Sequence, residues 1–299
     1  MISRRTFVRQ IGGGTAAILL APRPRLFPHA PMAGEMRFGY AAITWGGDDE
    51  RAIEDISALG FPGIQLRANV LARFGKDPAA LRDSLAAHKL TFVALSSGNV
   101  SIDPAREAQV IQEHVDHARF LRDAGGLYLQ LIDEKPRGRA VESADYARLG
   151  RVLTEIGKRT ADLGIPVAYH HHAGSMGEKP AEIRQVLDAT DPRYVRLLLD
   201  IAHYQVGGGD PVKAVHEYAD RLLFLHIKDV RIPAPGKPLP SFQFVELGQG
   251  QVDLPGVLRA LREVKFAGWG IVELDSVPDH ARTPKESALM SKEYLERLR

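Results

Sequence analysis

The stretch "DLGIPVAYHHH" (162–172) contains, in order, the end of a helical pattern, a glycine, a short apolar run and three histidines. A glycine just past a helix can adopt the left-handed backbone that ends the helix, and a strand can then begin. The same order of helix, glycine and strand recurs in "ALGFPGI" (58–64), "DAGGLY" (123–128) and "EVKFAGWGI" (263–271). The stretch therefore predicts a chain in which helices and strands alternate.

Eight apolar runs of strand length lie along the chain, and amphipathic helical patterns separate them. Aliphatic strands buried on both faces and repeated eight times between helices predict a single-domain (β/α)8 TIM barrel over residues 35–299. An open doubly wound sheet is the alternative, but no GxGxxG motif lies between the first strand and its helix. The predicted strands are 37–43, 63–68, 91–97, 126–132, 165–172, 195–201, 222–230 and 269–275. The predicted helices are 50–59, 78–88, 105–124, 143–163, 180–189, 211–219, 254–264 and 284–299.

The first 34 residues have the pattern of a bacterial twin-arginine signal. Arg4 and Arg5 precede an uncharged stretch from Ile11 to Ala21, and a Pro-rich segment with small residues follows, with a cleavage site near Ala33. The alternative is an N-terminal membrane anchor, but this stretch has 11 residues against the roughly 20 that span a bilayer. The pattern predicts a periplasmic or extracytoplasmic protein with no stable membrane span after signal removal.

Composition narrows the choice of partner. The formal net charge is +2, and the first 34 residues contribute five arginines and no acid, so the remainder carries −3. Such a chain lacks the basic surface that binding to a phosphate backbone requires, which argues against a nucleic-acid partner. Cysteine is absent, so disulfides and thiolate metal sites are impossible. A small-molecule carbohydrate is the expected ligand, and a homo-oligomer is compatible with these features.

Polar side chains occupy the ends of the last four predicted strands. In a TIM barrel the chemistry lies at the C-terminal strand ends and in the loops that follow them. Strand alternation places His170 and His172 on the face toward the barrel axis and His171 on the opposite face, where it packs or hydrogen-bonds outward. The complete set is His170, His172, Asp200, His203, His226, Lys228, Glu273 and Asp275.

Imidazoles and carboxylates without sulfur suit one divalent ion such as Mn²⁺, Co²⁺, Mg²⁺, Zn²⁺ or Fe²⁺. Such an ion can polarise a carbonyl and ease removal of a proton from the neighbouring carbon, which is enediolate chemistry. Three of these residues have plainer interpretations: His203 anchors its loop, Lys228 forms a buried ion pair with Asp200 or Glu273, or Asp275 only rims the site.

Three residues at the ends of earlier strands are candidates for binding substrate. Trp45 follows the first strand and serves either as a sugar platform or as a core residue. Gln65 and Gln130 end the second and fourth strands, and they either hydrogen-bond substrate or are satisfied core amides. The remaining histidines fall in helical or terminal stretches and are predicted to lie on the surface: His88, His114, His117, His216 and His280.

Four segments resemble the sugar phosphate isomerase/epimerase superfamily, the xylose-isomerase-like barrels. They are "LLLDIAHYQVGGGDP" (197–211), "LFLHIKDV" (223–230), "VELGQGQVDLPGVLRAL" (245–261) and "GWGIVELD" (268–275). The resemblance implies a divalent metal, with Asp200, His226 and Glu273 matching three of the four usual ligands. It also implies that His203 helps to hold the substrate.

The fourth ligand position departs from the epimerase pattern. Epimerases of the superfamily usually present a glutamate at the end of the fifth strand, where this chain has His170. The segment "YHHHAG" (169–174) is closer to the inosose dehydratases, a branch that removes an α-proton and eliminates a β-hydroxyl. The resemblance leaves Glu273, His172 or Lys228 as the base, and Lys228 alternatively polarises a carbonyl.

The main functional prediction is a metal-dependent isomerase or epimerase that abstracts a proton α to a carbonyl of a sugar or keto-sugar. Elimination is the first alternative, either of water as in inosose dehydratases or of a glycosidic group from a 3-keto-sugar. A catalytically inactive periplasmic protein that binds a sugar or a metal is the alternative of another class. An abasic-site nuclease shares the barrel, but the predicted export and the charge of −3 disfavour it.

Overall fold

The computed structural model describes residues 36–233 and 242–298. Within them, eight parallel strands form a closed barrel in chain order, with the last strand beside the first. This confirms the predicted TIM barrel. The barrel strands are β1 (Arg37–Ala41), β2 (Gly63–Arg67), β3 (Thr91–Val100), β4 (Tyr128–Asp133), β5 (Val167–His170), β6 (Val195–Asp200), β7 (Leu222–Ile227) and β10 (Trp269–Val272). A short antiparallel hairpin of β8 (Asp229–Arg231) and β9 (Gln243–Val245) follows β7.

Helices surround the barrel between the strands. Short 3-10 helices, Ala42–Trp45 and Ala68–Val70, follow β1 and β2. No helix of the described residues is long and apolar enough to cross a membrane. The α-helices are α1 (Asp49–Ala58), α2 (Leu71–Phe74), α3 (Pro78–Ala87), α4 (Glu107–Asp123), α5 (Ser143–Ala161), α6 (Pro180–Asp188), α7 (Ile201–Val206), α8 (Pro211–Glu217), α9 (Leu254–Glu263) and α10 (Pro284–Arg297).

Local signals explain where the helices begin and end. Asp77 and Asp210 accept hydrogen bonds from backbone N–H groups at the starts of α3 and α8, and a proline follows each of them. Gly164 has φ +75° just after α5, which is the left-handed conformation that its position predicts. After α9 the left-handed residue is Lys265, with φ +55°, and not the glycine at 268. The helix–strand turn there is therefore built by a lysine.

Apolar side chains fill the barrel below its C-terminal end. Trp269 is fully buried at the start of β10, and the guanidinium of Arg37 lies 4.3 Å from its ring centre. Tyr128 and Phe224 stack beside it with ring centres 5.4 Å apart. A Cβ atom on Gly63 would lie 2.5 Å from Trp269, so only glycine leaves room for the indole. The side chains packed around Trp269, beneath the C-terminal strand ends, thus form an apolar cluster.

Two sequence expectations are corrected by the fold. The predicted fifth strand, 165–172, ends at His170, so His171 and His172 lie in the turn that follows it. The predicted seventh strand, 222–230, is divided between β7 and β8. The predicted signal, residues 1–34, lies outside the described residues. So does most of the Pro-rich segment "RIPAPGKPLPSF" (231–242), whose sequence predicts a loop after the seventh strand.

His114 was expected on the surface but is buried between α4 and β3. Its exposed fraction is 1%, and its Nδ1 lies 2.7 Å from the hydroxyl of Ser97, which also lies 2.8 Å from Nδ1 of half-buried His117. Burial, reinforced by the charge of His117, lowers the pKa of His114 to about 4. The helical pattern alone did not reveal that this face of α4 packs on the barrel.

His114 is expected to make the protein less stable in mild acid. Its pKa is about 6.5 in an unfolded chain and about 4 when folded, so the unfolded chain binds more protons between these values. Stability is therefore complete above pH 6.5 and falls as the pH drops toward 4. From pH 7 to 5 this histidine should account for about 1–2 kcal/mol. Urea unfolding at both pH values measures the loss.

The control compares two histidine-to-glutamine variants. His114→Gln should reduce the difference in unfolding free energy between pH 7 and 5, whereas His280→Gln, at an exposed position, should leave it unchanged. If His114→Gln shows the same pH dependence as the wild type, another buried group is responsible.

Candidate active site

The barrel brings the four predicted metal ligands together at its C-terminal end. His170 ends β5, Asp200 ends β6, His226 lies near the end of β7, and Glu273 directly follows β10. Asp200 and His226 are register partners across β6 and β7. All four side chains are buried. Short parallel strands with matched ends are what place these distant positions in one layer.

The ligand atoms face one another at short distances. Nδ1 of His226 lies 3.3 Å from Oδ2 of Asp200 and 3.2 Å from Oε1 of Glu273. Nε2 of His170 lies 3.6 Å from the same oxygen of Asp200. One carboxylate oxygen is therefore common to both imidazoles, at the centre of the cluster.

Gln65 fixes the proton on His226. Its Oε1 lies 3.0 Å from Nε2 of His226, and only an Nε2–H can donate to that oxygen in the neutral ring. The other nitrogen, Nδ1, then presents a lone pair to the carboxylates of Asp200 and Glu273. A lone pair and two carboxylates repel one another unless a cation lies between them, so this arrangement fits a metal ion.

Gln130 has the corresponding position beside His170. Its amide Nε2 lies 2.7 Å from Nδ1 of His170. Its own Oε1 and the Nε2 of His170 are buried and have no hydrogen-bond partner among the residues that the structure describes. A half-turn of the amide lets Oε1 accept an Nδ1–H and leaves Nε2 of the ring free to bind a cation. That rotation satisfies the unpaired amide oxygen, so His170 also fits a metal ion.

The electrostatics favour the forms that bind metal. Burial lowers the pKa of His170 to about 4 despite the nearby Asp200, so the ring is neutral at neutral pH. Burial alone would raise the pKa of Asp200 and of Glu273. The charges of His203 and Lys228 hold the pKa of Asp200 well below its usual range, and those of His226 and Lys228 do the same for Glu273. Burial would lower the pKa of His226. When no metal is bound, the carboxylates of Glu273 and Asp200 outweigh burial and raise that pKa to about 9. A proton on His226 and a divalent ion are thus alternative partners for the same carboxylates.

His203 is a second nitrogen close to Asp200, at 4.0 Å from Oδ2. With His170 and Asp200 it forms a second group compatible with a metal, beside the group of Asp200, His226 and Glu273. However, its Nδ1 accepts a hydrogen bond from the backbone N–H of Ala173 at 3.2 Å. The proton of the neutral ring is therefore on Nε2, the nitrogen that faces Oδ2 of Asp200.

Lys228 is a fully buried cation beside the centre. Its Nζ donates to Oε1 of Glu273 at 3.1 Å and to Oδ1 of Asp275 at 2.5 Å, and it lies 4.0 Å from the ring centre of Phe244 on β9. Burial would lower the pKa of Lys228, but Glu273 and Asp275 hold it above its ordinary value. Asp275 is partly exposed and rims the cleft, in agreement with the plainer interpretation of that residue.

The two histidines after β5 differ in function. His171 is buried, and its Nε2 accepts the backbone N–H of Asp200 at 3.2 Å, so it supports a ligand from behind. His172 is half-buried and lines the cleft. Its Nδ1–H donates to the carbonyl of Ala173 at 2.7 Å, which leaves Nε2 as an acceptor, and its ring centre lies 3.8 Å from that of His203.

The structure corrects the prediction that Trp45 contacts substrate. The indole lies in the core beside Tyr40, with ring centres 5.6 Å apart, and its Nε1–H donates to Asp55 of α1 at 3.0 Å. The reason is local: β1 ends at Ala41, and the 3-10 helix Ala42–Trp45 turns the ring away from the cleft. Ala41 lines the cleft in its place.

Sequence reasoning also missed residues of the cleft. Arg67 and Ser96 line it together with Gln65 and Gln130, and Phe244 covers Lys228. Arg67 follows Gln65 by two residues on the same strand, so strand alternation was a signal for it. Nothing in the sequence signalled Phe244, because its position depends on the hairpin that follows β7.

Replacing Gln65 with leucine is expected to weaken metal binding about 10- to 100-fold, since it removes the group that orients His226. Titration calorimetry of metal-free protein measures the dissociation constant. Gln112→Leu, the same change on the exposed face of α4, should bind metal as the wild type does. An unchanged dissociation constant for Gln65→Leu would show that Gln65 does not control the ring of His226.

Comparisons with known proteins agree with the fold. Residues 53–297 match the family model for the xylose isomerase-like TIM barrel. The chain is 28% identical over 296 residues to the inosose dehydratase of Geobacillus kaustophilus (strain HTA426), covering 88% of this chain and 94% of that one. It is 30% identical over 297 residues to the rhizopine catabolism protein MocC of Rhizobium meliloti, covering 86% of each chain.

Solved structures share the same fold. The IOLI protein with a zinc atom superposes with a TM-score of 0.75 and 18% identity, over 88% of this chain and 98% of that one. L-Ribulose 3-epimerase superposes with a TM-score of 0.72 and 17% identity, over 88% and 94%. The resemblance noted in the sequence is thus confirmed at the level of the family. The chain belongs to the xylose isomerase-like TIM barrel family.

Proposed function

We propose that this protein is a divalent-metal-dependent lyase that eliminates water from a keto-polyol or keto-sugar. The observation that carries the proposal is the composition of one cleft, lined by His170, His172 and Glu273, together with the buried side chains of Asp200, His226 and Lys228 beside it. A four-residue centre with a histidine in the β5 position adjoins His172, which offers an unprotonated nitrogen, and Lys228, which offers protons. Curated relatives named inosose dehydratase, at 28% identity, support elimination over the isomerisation predicted first.

His170, Asp200, His226 and Glu273 would hold the metal ion. When bound there, a divalent ion supplies Lewis-acid polarisation of a substrate carbonyl, which acidifies the neighbouring C–H bond. Ions that accept mixed imidazole and carboxylate ligands include Mn²⁺, Co²⁺, Mg²⁺, Zn²⁺ and Fe²⁺.

The chain's own residues then divide the proton transfers. His172 accepts the α-proton at Nε2, and Lys228 donates a proton from Nζ to the β-hydroxyl, which leaves as water. One C–H and one C–O bond break and one C=C bond forms. His172 gains the α-proton of the substrate, Lys228 loses a different proton to the leaving water, and exchange with solvent restores both side chains. His203 donates its Nε2–H to a substrate oxygen and thereby orients the substrate.

Epimerisation requires that a proton leave one face of the substrate and return to the other. The epimerase pattern uses glutamates for both faces, whereas His170 of this chain lies buried at the ligand position of β5. Elimination needs only one base together with an acid for the leaving group, and His172 and Lys228 supply that pair. A glycosidic oxygen can leave by the same steps as a hydroxyl.

The test is to incubate the metal-loaded protein with inosose in D₂O. Elimination gives a conjugated product that absorbs in the near ultraviolet, with loss of the β-oxygen by NMR. Deuterium at the α-carbon with no absorbing product would support the isomerase or epimerase prediction instead. Tight binding without either change, across inosose and 3-keto-glycosides, would identify a binding protein.

His170→Glu refines this test. The variant restores the glutamate of the epimerase pattern, so we expect it to retain metal, lose elimination and exchange the α-proton with solvent. Elemental mass spectrometry verifies the metal content. If His170→Glu eliminates as fast as the wild type, the ligand at this position does not select the reaction.

We further propose that residues 1–34 direct export by the twin-arginine route, on the pattern of Arg4, Arg5 and the stretch Ile11–Ala21. Replacement of Arg4 and Arg5 by lysine is expected to retain the protein in the cytoplasm, as cell fractionation would detect. Periplasmic location of that variant would contradict the proposal.

A further inference from the structure

Arg67 presents a guanidinium to the active-site cleft without a bonded partner. It is the last residue of β2, is half-buried, and lines the cleft together with Gln65, His172 and Glu273. Within residues 36–233 and 242–298, no acceptor hydrogen-bonds this guanidinium and no carboxylate forms an ion pair with it. A half-buried charge without a partner is unfavourable, so a ligand that supplies the missing acceptors gains free energy from it.

Acids near Arg67 have other partners. Asp49 lies close enough for its charge to interact with Arg67, but its carboxylate accepts a hydrogen bond from Asn69 at 2.7 Å. Asp275 and Glu273 both bond to Lys228. Arg67 is the only Arg or Lys among the lining residues of the cleft in the described part of the chain.

The geometry of the group points to a planar acid. A guanidinium stays charged at all accessible pH values and presents parallel N–H donors that match the two oxygens of a carboxylate. Ser96 is the register partner of Arg67 on β3 and lines the same cleft, so its hydroxyl can donate to the same oxygens. A phosphate dianion fits less well, because Asp275 and Glu273 are nearby and Arg67 alone would face it.

We propose that Arg67 binds a carboxylate of the substrate, so that the substrate is a polyhydroxy keto acid rather than a neutral keto-sugar. This inference rests on the proposed function for the location of the reacting carbons near the metal centre. It adds that the substrate carries a negatively charged group, which lies at the β2–β3 side of the cleft. Arg67 is assigned as a residue that determines specificity and has no part in proton transfer.

Binding of matched stable probes by the metal-loaded full chain tests this inference. D-Glucuronate is compared with D-glucuronamide, and quinate with quinamide, so that the members of each pair differ only at the group that Arg67 would contact: a charged carboxylate with two acceptor oxygens or a neutral carboxamide. We expect the wild type to bind each acid about 10- to 100-fold more tightly than its amide, the range for a charge-assisted hydrogen-bonded pair. Calorimetric titration to millimolar concentrations gives the ratio.

Three variants separate contact from general charge. Arg67→Gln should bring the ratio of acid to amide close to one while leaving amide binding unchanged, and Arg67→Lys should retain part of the preference. Arg73→Gln removes an equal charge from exposed α2 and should preserve the full ratio. Equal weakening of acid and amide by Arg67→Gln, or no binding of either acid by the wild type, would overturn the inference.

The outcome is separable from that of the proposed function. If the preference for acids depends on Arg67 but no keto acid gives an elimination product, the carboxylate site is supported and the proposed lyase activity is contradicted. If inosose undergoes elimination but acids and amides bind equally, the lyase activity is supported and the carboxylate site is contradicted.

Discussion

Asp200→Asn is expected to lose the divalent ion and to reduce the elimination rate about 10³-fold or more, the equivalent of about 4 kcal/mol in the barrier. Asp200 provides the oxygen that faces both His170 and His226, so one substitution affects the contacts of both imidazoles in the centre. Elemental mass spectrometry should show a fall from about one ion per chain to about a tenth or less.

Asparagine is chosen because Asp200 also begins α7. Its Oδ1 accepts the backbone N–H groups of Ala202 and His203, and an asparagine oxygen can accept the same bonds. The matched control is Asp210→Asn, since Asp210 begins α8 in the same way through Val212 and Lys213 outside the site. Asp210→Asn should keep metal and rate. A fully metal-loaded and active Asp200→Asn variant would contradict the proposed centre.

Lys228→Met is expected to lower the rate of elimination about 10²- to 10⁴-fold while the metal content stays at about one ion per chain. Methionine fills similar space but has no proton to give to the leaving hydroxyl. Exchange of the α-proton with D₂O should continue, because His172 performs that step. NMR of the two processes in one sample measures both rates.

The plainer interpretation of Lys228, a buried ion pair with Glu273, predicts a different result. In that case Lys228→Met would lower metal content, exchange and elimination together, because an unpaired buried carboxylate would disturb the centre. Lys285→Met is the control, since Lys285 is partly exposed and pairs with Asp55 of α1, outside the proposed centre. That variant should match the wild type in all three measurements.

The fold was predictable because its signal repeats. Each barrel strand is an apolar run beside an amphipathic helix, and eight such units admit few architectures. The placement of Asp200, His226 and Glu273 followed from the same signal, since strand ends converge in a closed parallel barrel. None of this required knowledge of side-chain contacts.

The parts that were not predictable depend on local geometry. Trp45 turns into the core because a 3-10 helix follows β1, and His172 leaves the strand because β5 ends two residues early. The tautomer of His203 depends on one hydrogen bond that it accepts from the backbone N–H of Ala173. The tautomer of His226 depends on one hydrogen bond that it donates to Gln65. Periodicity determines which face a residue takes, but it gives no information about these partners.

The apolar packing around Trp269 has a kinetic consequence. Because side chains fill the barrel beneath the metal centre, substrate and product share the route through the C-terminal face. A product that has not yet left therefore blocks the next substrate from entering. We expect the dehydrated product to inhibit competitively, so steady-state rates in a closed vessel should decline before the substrate is exhausted.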